Sequence, residues 1–164
     1  MVLKMKKLLM IVVLGLLLPS CIATVKPTGG TYKEIQLAPE KSRIVIFRRG
    51  GSLIGMDTPA VHIVGTKTLS FYLPSKTFIQ EDLKPGTYKV VVSKPEGSTG
   101  LVWRFKNNIG QEVAVRKNQT VYLELKTFST GLTHSTKLVF EGKDYAVEKI
   151  KAMKRVLSSD QAKF

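Results

Sequence analysis

The chain has 164 residues, a formal net charge of +14, one cysteine and two histidines. That length suits one ordinary domain with a real core. With Cys21 as the sole thiol and His62 and His134 as the only imidazoles, an intramolecular disulfide is excluded and a structural zinc site is disfavoured.

The first element is an export signal. Lys4, Lys6 and Lys7 precede an apolar run from Leu8 to Leu18, followed by small residues. The run is about 11 residues, short of the roughly 20 needed to span a bilayer. Leu18-Pro19-Ser20-Cys21 resembles a bacterial lipobox, although Pro19 is an unusual residue at its position. The resemblance implies a signal peptide over residues 1–20, cleavage between Ser20 and Cys21, and diacylglycerol on the Cys21 thiol. It also implies an acyl chain such as palmitate on the new amine. One acyl chain holds a protein to a membrane marginally and two or more hold it stably. Ile22 after the cysteine resembles the pattern of lipoproteins sorted to the outer membrane, on its periplasmic face. Loss of the signal removes three lysines and no acid, which leaves a mature charge of +11.

Residues 21–41 read as the lipidated cysteine and a flexible tether. Lys26-Pro27-Thr28-Gly29-Gly30 and Leu37-Ala38-Pro39-Glu40 are turn-forming. Tyr32, Ile35 and Leu37 are apolar enough to pack on a domain edge.

Short strands bounded by turn residues then follow through residue 142. Ser42 to Arg48 is β-branched and aromatic and reads as a well-buried strand. Ala60 to Val64 is the next, with Val61 and Ile63 opposite His62 and Val64. Gly65 is expected at positive φ in the turn after it. Thr68 to Leu73 and Lys76 to Leu83 are further strands. Lys84-Pro85-Gly86 predicts a type II turn with Gly86 at positive φ. Thr87 to Val92 places Tyr88, Val90 and Val92 on one face. Leu101 to Phe105, with Trp103, and Gln111 to Val115 are strands. So is Thr120 to Leu125, where Val121, Leu123 and Leu125 alternate with Tyr122 and Glu124. Phe128 to Thr136 reads as a polar loop and Lys137 to Phe140 as a short strand.

This spacing predicts a mainly β chain: a single antiparallel β-sandwich of seven or more short strands over residues 42–142. Arg43-Ile44-Val45-Ile46-Phe47-Arg48, Val61-His62-Ile63-Val64-Gly65, Leu83-Lys84-Pro85-Gly86-Thr87-Tyr88-Lys89-Val90 and Val121-Tyr122-Leu123 together resemble a family of small bacterial lipoproteins bearing a domain of unknown function. Its members resemble PEGA-like and carboxypeptidase-regulatory-like β-sandwiches. The resemblance covers about Ser42 to Lys126 and rests on turn and core residues. It implies a non-enzymatic envelope module.

Residues 143–164 read as a C-terminal α-helix and tail. Helical spacing runs over Asp144 to Leu157, with Asp144 as N-cap and Val147, Ile150, Met153 and Leu157 on one stripe. The helix is expected to pack on the sandwich. Alternatively, Val147, Ile150 and Met153, flanked by Lys154 and Arg155, would bind a partner.

No residue set stands out as catalytic. His62 sits in an apolar strand. His134 and Ser135 are adjacent, so on an extended chain they point apart, and Asp57 completes a triad only on paper. Glu81 and Asp82 are the only adjacent carboxylates. Arg48 and Arg49, leading into a glycine loop, are candidate anion ligands. Trp103-Arg104-Phe105-Lys106 interleaves aromatic and basic residues. No cofactor or metal is implied, and an exported protein meets little nucleic acid. The expectation is a non-enzymatic, lipid-anchored envelope protein that binds or assembles a periplasm-facing partner. The alternatives are a binder of anionic lipid, lipopolysaccharide or peptidoglycan, and a small periplasmic enzyme or inhibitor acting on peptidoglycan.

Overall fold

The strand Ser42–Arg48 (β1) is buried at all seven of its positions. An unbroken run of Ile, Val and Phe belongs in a sheet covered on both faces. The computed structural model describes residues 27, 29–50, 58–93, 109–130 and 133–157. The signal peptide, Ser20, Cys21, Asp57, the Leu101 to Phe105 stretch and residues 158–164 lie outside them. So do the side chains of His134 and Ser135.

After β1 come β2 (Ala60–Val64), β3 (Thr68–Tyr72), β4 (Thr77–Leu83), β5 (Gly86–Ser93), β6 (Ile109–Val115), β7 (Thr120–Thr130) and β8 (Thr133–Glu141). The helix α1 (Lys143–Ile150) and a short β9 (Lys154–Val156) follow. Among the described residues these form two sheets, one of five strands in the order β8-β7-β1-β4-β9 and one of four in the order β3-β2-β5-β6. The mainly β expectation holds.

The expected all-antiparallel pairing does not hold. β1 pairs with β7 in parallel, Arg43 opposite Thr120, and β4 pairs with β9 in parallel, Thr77 opposite Lys154. Parallel neighbours need a long crossover. The chain supplies one by visiting the four-stranded sheet between β1 and β7, and another through β5–β8 and α1 between β4 and β9.

Strand alternation sorts the side chains into two cores. The first draws on both sheets: Ile44, Ile46, Ile79 and Leu123 from one, Val61, Ile63, Val90, Val92 and Val113 from the other. The second lies on the opposite face of the five-stranded sheet. There Val45, Phe47, Phe78 and Tyr122 meet Ala146, Ile150 and Met153.

Three local expectations need correction. Phe128 to Thr136 is not a polar loop. It belongs to the long β7–β8 hairpin, where Phe128 pairs with Ser135 and Thr127 with Thr136. Threonine is enriched in strands, because its branched Cβ fits the pleated surface. The C-terminal helix is also shorter than its periodicity suggests. Its N-cap is Gly142, not Asp144, and it stops at Ile150. Met153 then enters the second core, and Val156 enters the first as β9 closes the edge of β4. Burying both side chains and pairing that edge outweighs helix propensity. Finally, Gly65 is not at positive φ; Gly86 is, as expected, but at +159° it is close to extended backbone and far from the roughly +80° of a type II turn. Gly65 answers a close approach instead: a Cβ there would come within 2.7 Å of the Tyr88 ring.

Candidate functional site

The N-terminal segment is stitched to the last strand. The Gly29 amide donates to the Arg155 carbonyl at 3.0 Å, the Arg155 amide donates to Gly30 at 2.9 Å, and Thr31 bridges Lys154 in antiparallel sense. A side chain at position 29 would collide with the Arg155 carbonyl, 2.6 Å from its Cβ, so glycine permits the approach. Tyr32 then packs edge-on against Phe78 with ring centroids 5.7 Å apart. The Ile35 carbonyl accepts a 2.8 Å bond from Arg43 Nη1. Part of the expected tether is therefore docked on the domain.

This docked segment forms one wall of a groove of about 520 Å³. Tyr32, Glu34, Ile35 and Leu37 line that wall, and Phe140, Glu141 and Lys143 the other. The floor is Arg43 with Asn118 to Tyr122. The volume falls in the range of small-ligand sites. Ile35 and Phe140, 56% and 51% exposed, place two large apolar side chains at this groove. Its charges are largely matched. Glu34 and Lys143 pair at 2.6 Å, which holds the Glu34 carboxylate below its usual range. Arg43 is engaged by Asp82, which raises the guanidinium and lowers the carboxylate. Burial, then the bond with Tyr32, pushes the Tyr122 hydroxyl well above the usual phenol range.

A second polar cluster surrounds Glu124. This carboxylate is 1% exposed, accepts from Arg49 Nε, and receives the Tyr145 hydroxyl at 3.3 Å. Lys126 Nζ lies 3.4 Å from it and donates to Glu141 at 2.5 Å. Arg49, Lys126 and Lys149 all approach the Tyr145 ring.

No protein-family profile matches this chain, and no curated protein matches it significantly.

The residues singled out in the sequence are dispersed. Arg48, expected to meet an anion, is 6% exposed and donates to the Leu73 carbonyl at 3.3 Å. Arg49 is spoken for by Glu124. Ile150 and Met153, expected on a docking stripe, are buried, and Val147 packs beside them. Lys154 and Arg155 sit in β9, not on a helix. Arg155 donates to the Gln80 carbonyl and lies 3.7 Å from Glu81. Burial of this interior stripe is the same apolar attraction that would otherwise have drawn a partner.

The acid–base candidates have structural partners as well. His62 Nδ1 lies 2.9 Å from Ser70 Oγ and its Nε2 lies 3.0 Å from Ser93 Oγ. Burial lowers its pKa, which favours the neutral ring. Burial also raises the Glu81 carboxyl, partly offset by Arg155. Asp82 is held by Arg43. Among the described residues no group of three or more His, Cys, Asp or Glu could hold a metal ion. The groove was not legible in the sequence, because its walls come from segments about 100 residues apart. The apolar Tyr32, Ile35 and Leu37 within the expected tether were the signal pointing to it.

Proposed function

We propose that the chain is a lipid-anchored protein of the cell envelope, held by acylated Cys21 on the periplasmic face of the outer membrane. There it acts as a non-catalytic binding or assembly module, with its two sheets stacked as a β-sandwich. A core shared by both sheets supports that stacking. The observation that carries the functional reading is the docking of residues 29–37, which lie just downstream of the lipobox-like stretch. They make the tether itself one wall of the groove. From Cys21 to Gly29 the chain can extend at most about 27 Å, so the groove stays close to the membrane. The engagement of His62, Glu81 and Asp82 by neighbouring side chains favours binding over catalysis.

A second reading, a binder of anionic envelope polymers, is favoured by the exposed basic turns at residues 67, 84 and 116–117. Crosslinking the native protein in intact cells tests the pair. A recurring protein partner that is lost in an Ile35→Asp/Phe140→Asp variant supports the assembly module. Recovery of lipopolysaccharide or peptidoglycan alone supports the polymer binder. Membrane release of a Cys21→Ala variant tests the anchor, and an unchanged membrane fraction would overturn it.

A further inference from the structure

The strands share a common end. Ser42 pairs with Leu83, Arg43 with Thr120, and Gly86 with Val115, so the turns before β1, between β4 and β5 and between β6 and β7 lie together. Val64 pairs with Lys89, which places the β2–β3 turn on the same side. These four turns carry Lys41, Lys67, Lys84, Arg116 and Lys117 against a single carboxylate, Glu40. All but Lys41 are exposed, and none of the five has an ion pair among the described residues. Nearby Asp82 is neutralised by Arg43. The exposed Ile35 and Phe140 belong to the same end, since Ile35 is bonded to Arg43 and Phe140 precedes Glu141, which pairs with Tyr122.

The N-terminal segment heads the same way. β9 runs parallel to β4, towards the end where β4 turns into β5. Residues 29–31 run antiparallel to β9. Traced back from Thr31 to Gly29, the chain therefore points to the basic end, with Cys21 eight residues further on.

We propose that this end is the face on which the protein rests against its own membrane, and that it recognises the anionic phospholipid surface of that bilayer. Exposed cations beside exposed apolar side chains are the composition of an interfacial contact. The direction of approach rests on the lipid-anchor reading above; the charge cluster does not. Each Lys or Arg near an anionic bilayer strengthens binding about fivefold.

The test uses the chain from Cys21 onward, made without signal or acyl groups; it retains every described residue and both cores. It is cosedimented with phosphatidylcholine vesicles, with and without about one third phosphatidylglycerol. Binding is expected only to the anionic vesicles, and about 0.5 M salt should abolish it. A Lys84→Gln/Arg116→Gln/Lys117→Gln variant should bind about 100-fold more weakly. A Lys137→Gln/Lys151→Gln/Lys154→Gln control, which removes the same charge elsewhere, should bind far more tightly than that variant. Matching thermal melts show that both variants fold. Equal weakening by the two variants, no binding to anionic vesicles, or stronger binding to lipopolysaccharide would each overturn the proposal. The mass of the native protein checks the anchor separately. Acylation without vesicle binding sinks the proposal and leaves the anchor. Vesicle binding without acylation sinks the anchor and leaves the basic face.

Discussion

Arg43 and Asp82 face each other across the β1–β4 ladder and meet at two points, Nε to Oδ1 at 2.5 Å and Nη2 to Oδ2 at 2.9 Å. Arg43 is 4% exposed, and its third guanidinium nitrogen, Nη1, donates to the Ile35 carbonyl. One buried guanidinium thus ties the centre of the sheet to the docked N-terminal segment. Asp82→Ala should destabilise the fold by about 1–2 kcal/mol, the smaller value reflecting a carboxylate that is nearly half exposed. Urea unfolding would measure it. Arg43 holds the Asp82 carboxyl below its ordinary range. The stability it contributes is therefore complete above about pH 5, clear of the ordinary carboxylate pKa, and is lost as pH falls through the folded-state value. The variant should lack that share of the acid-side loss.

Glu124 is the most deeply buried charge of its cluster, with Arg49 and Lys126 as counter-ions. Glu124→Ala should cost about 3 kcal/mol, because it strips Arg49 of its carboxylate, leaves Lys126 with Glu141 alone and opens space beside Tyr145. Glu124→Gln keeps the shape and should cost less. A smaller loss for alanine than for glutamine would contradict this account.

Gly65 lies against Tyr88, whose hydroxyl donates to the Lys84 carbonyl at 2.7 Å. Gly65→Ala should destabilise by about 1–2 kcal/mol by displacing the ring. In a Tyr88→Ala background the same change should cost almost nothing. A double-mutant cycle reads the coupling directly, and additive losses would show that the ring is not the cause.

Met153 is 6% exposed and lies in the second core with Phe47 and Phe78. Met153→Ala should lower stability by about 2–4 kcal/mol. Lys151→Ala, at an exposed position two residues earlier, should leave it within about 0.5 kcal/mol. Thermal melts of the two variants separate a residue buried in the fold from one on its surface.

Strand positions were readable where the pattern was local. Ser42–Arg48 and Ala60–Val64 occupy the expected residues because each is a short β-branched run bounded by breakers. The alternation of Val121, Leu123 and Leu125 with Tyr122 and Glu124 also survives, and it divides β7 between the two cores. The hairpin beyond Phe128 was not readable. Thr127, Ser129, Thr130, Thr133, Ser135 and Thr136 are polar, and polarity alone does not separate a strand from a loop.

Electrostatic partners were less legible still. Arg48 and Arg49 are neighbours in the chain, but one reaches the Leu73 carbonyl and the other a carboxylate 75 residues away. Arg48 ends β1 and Arg49 lies just beyond it, and what each side chain meets depends on the whole topology.

The amino-acid sequence by itself determined the positions of the strands with a local apolar pattern, such as Ser42–Arg48 and Ala60–Val64, the alternation that builds a face and the excess of positive charge, because each depends on neighbours within a few residues. Tertiary structure alone decided that Met153, Lys154 and Arg155 leave the helix. There the open edge of β4 and two unfilled core positions outweigh a weak helical preference. It also decided that residues 29–37 form a wall and that five cations from four turns meet at one end. Contacts of that length exist only once the sheets have assembled.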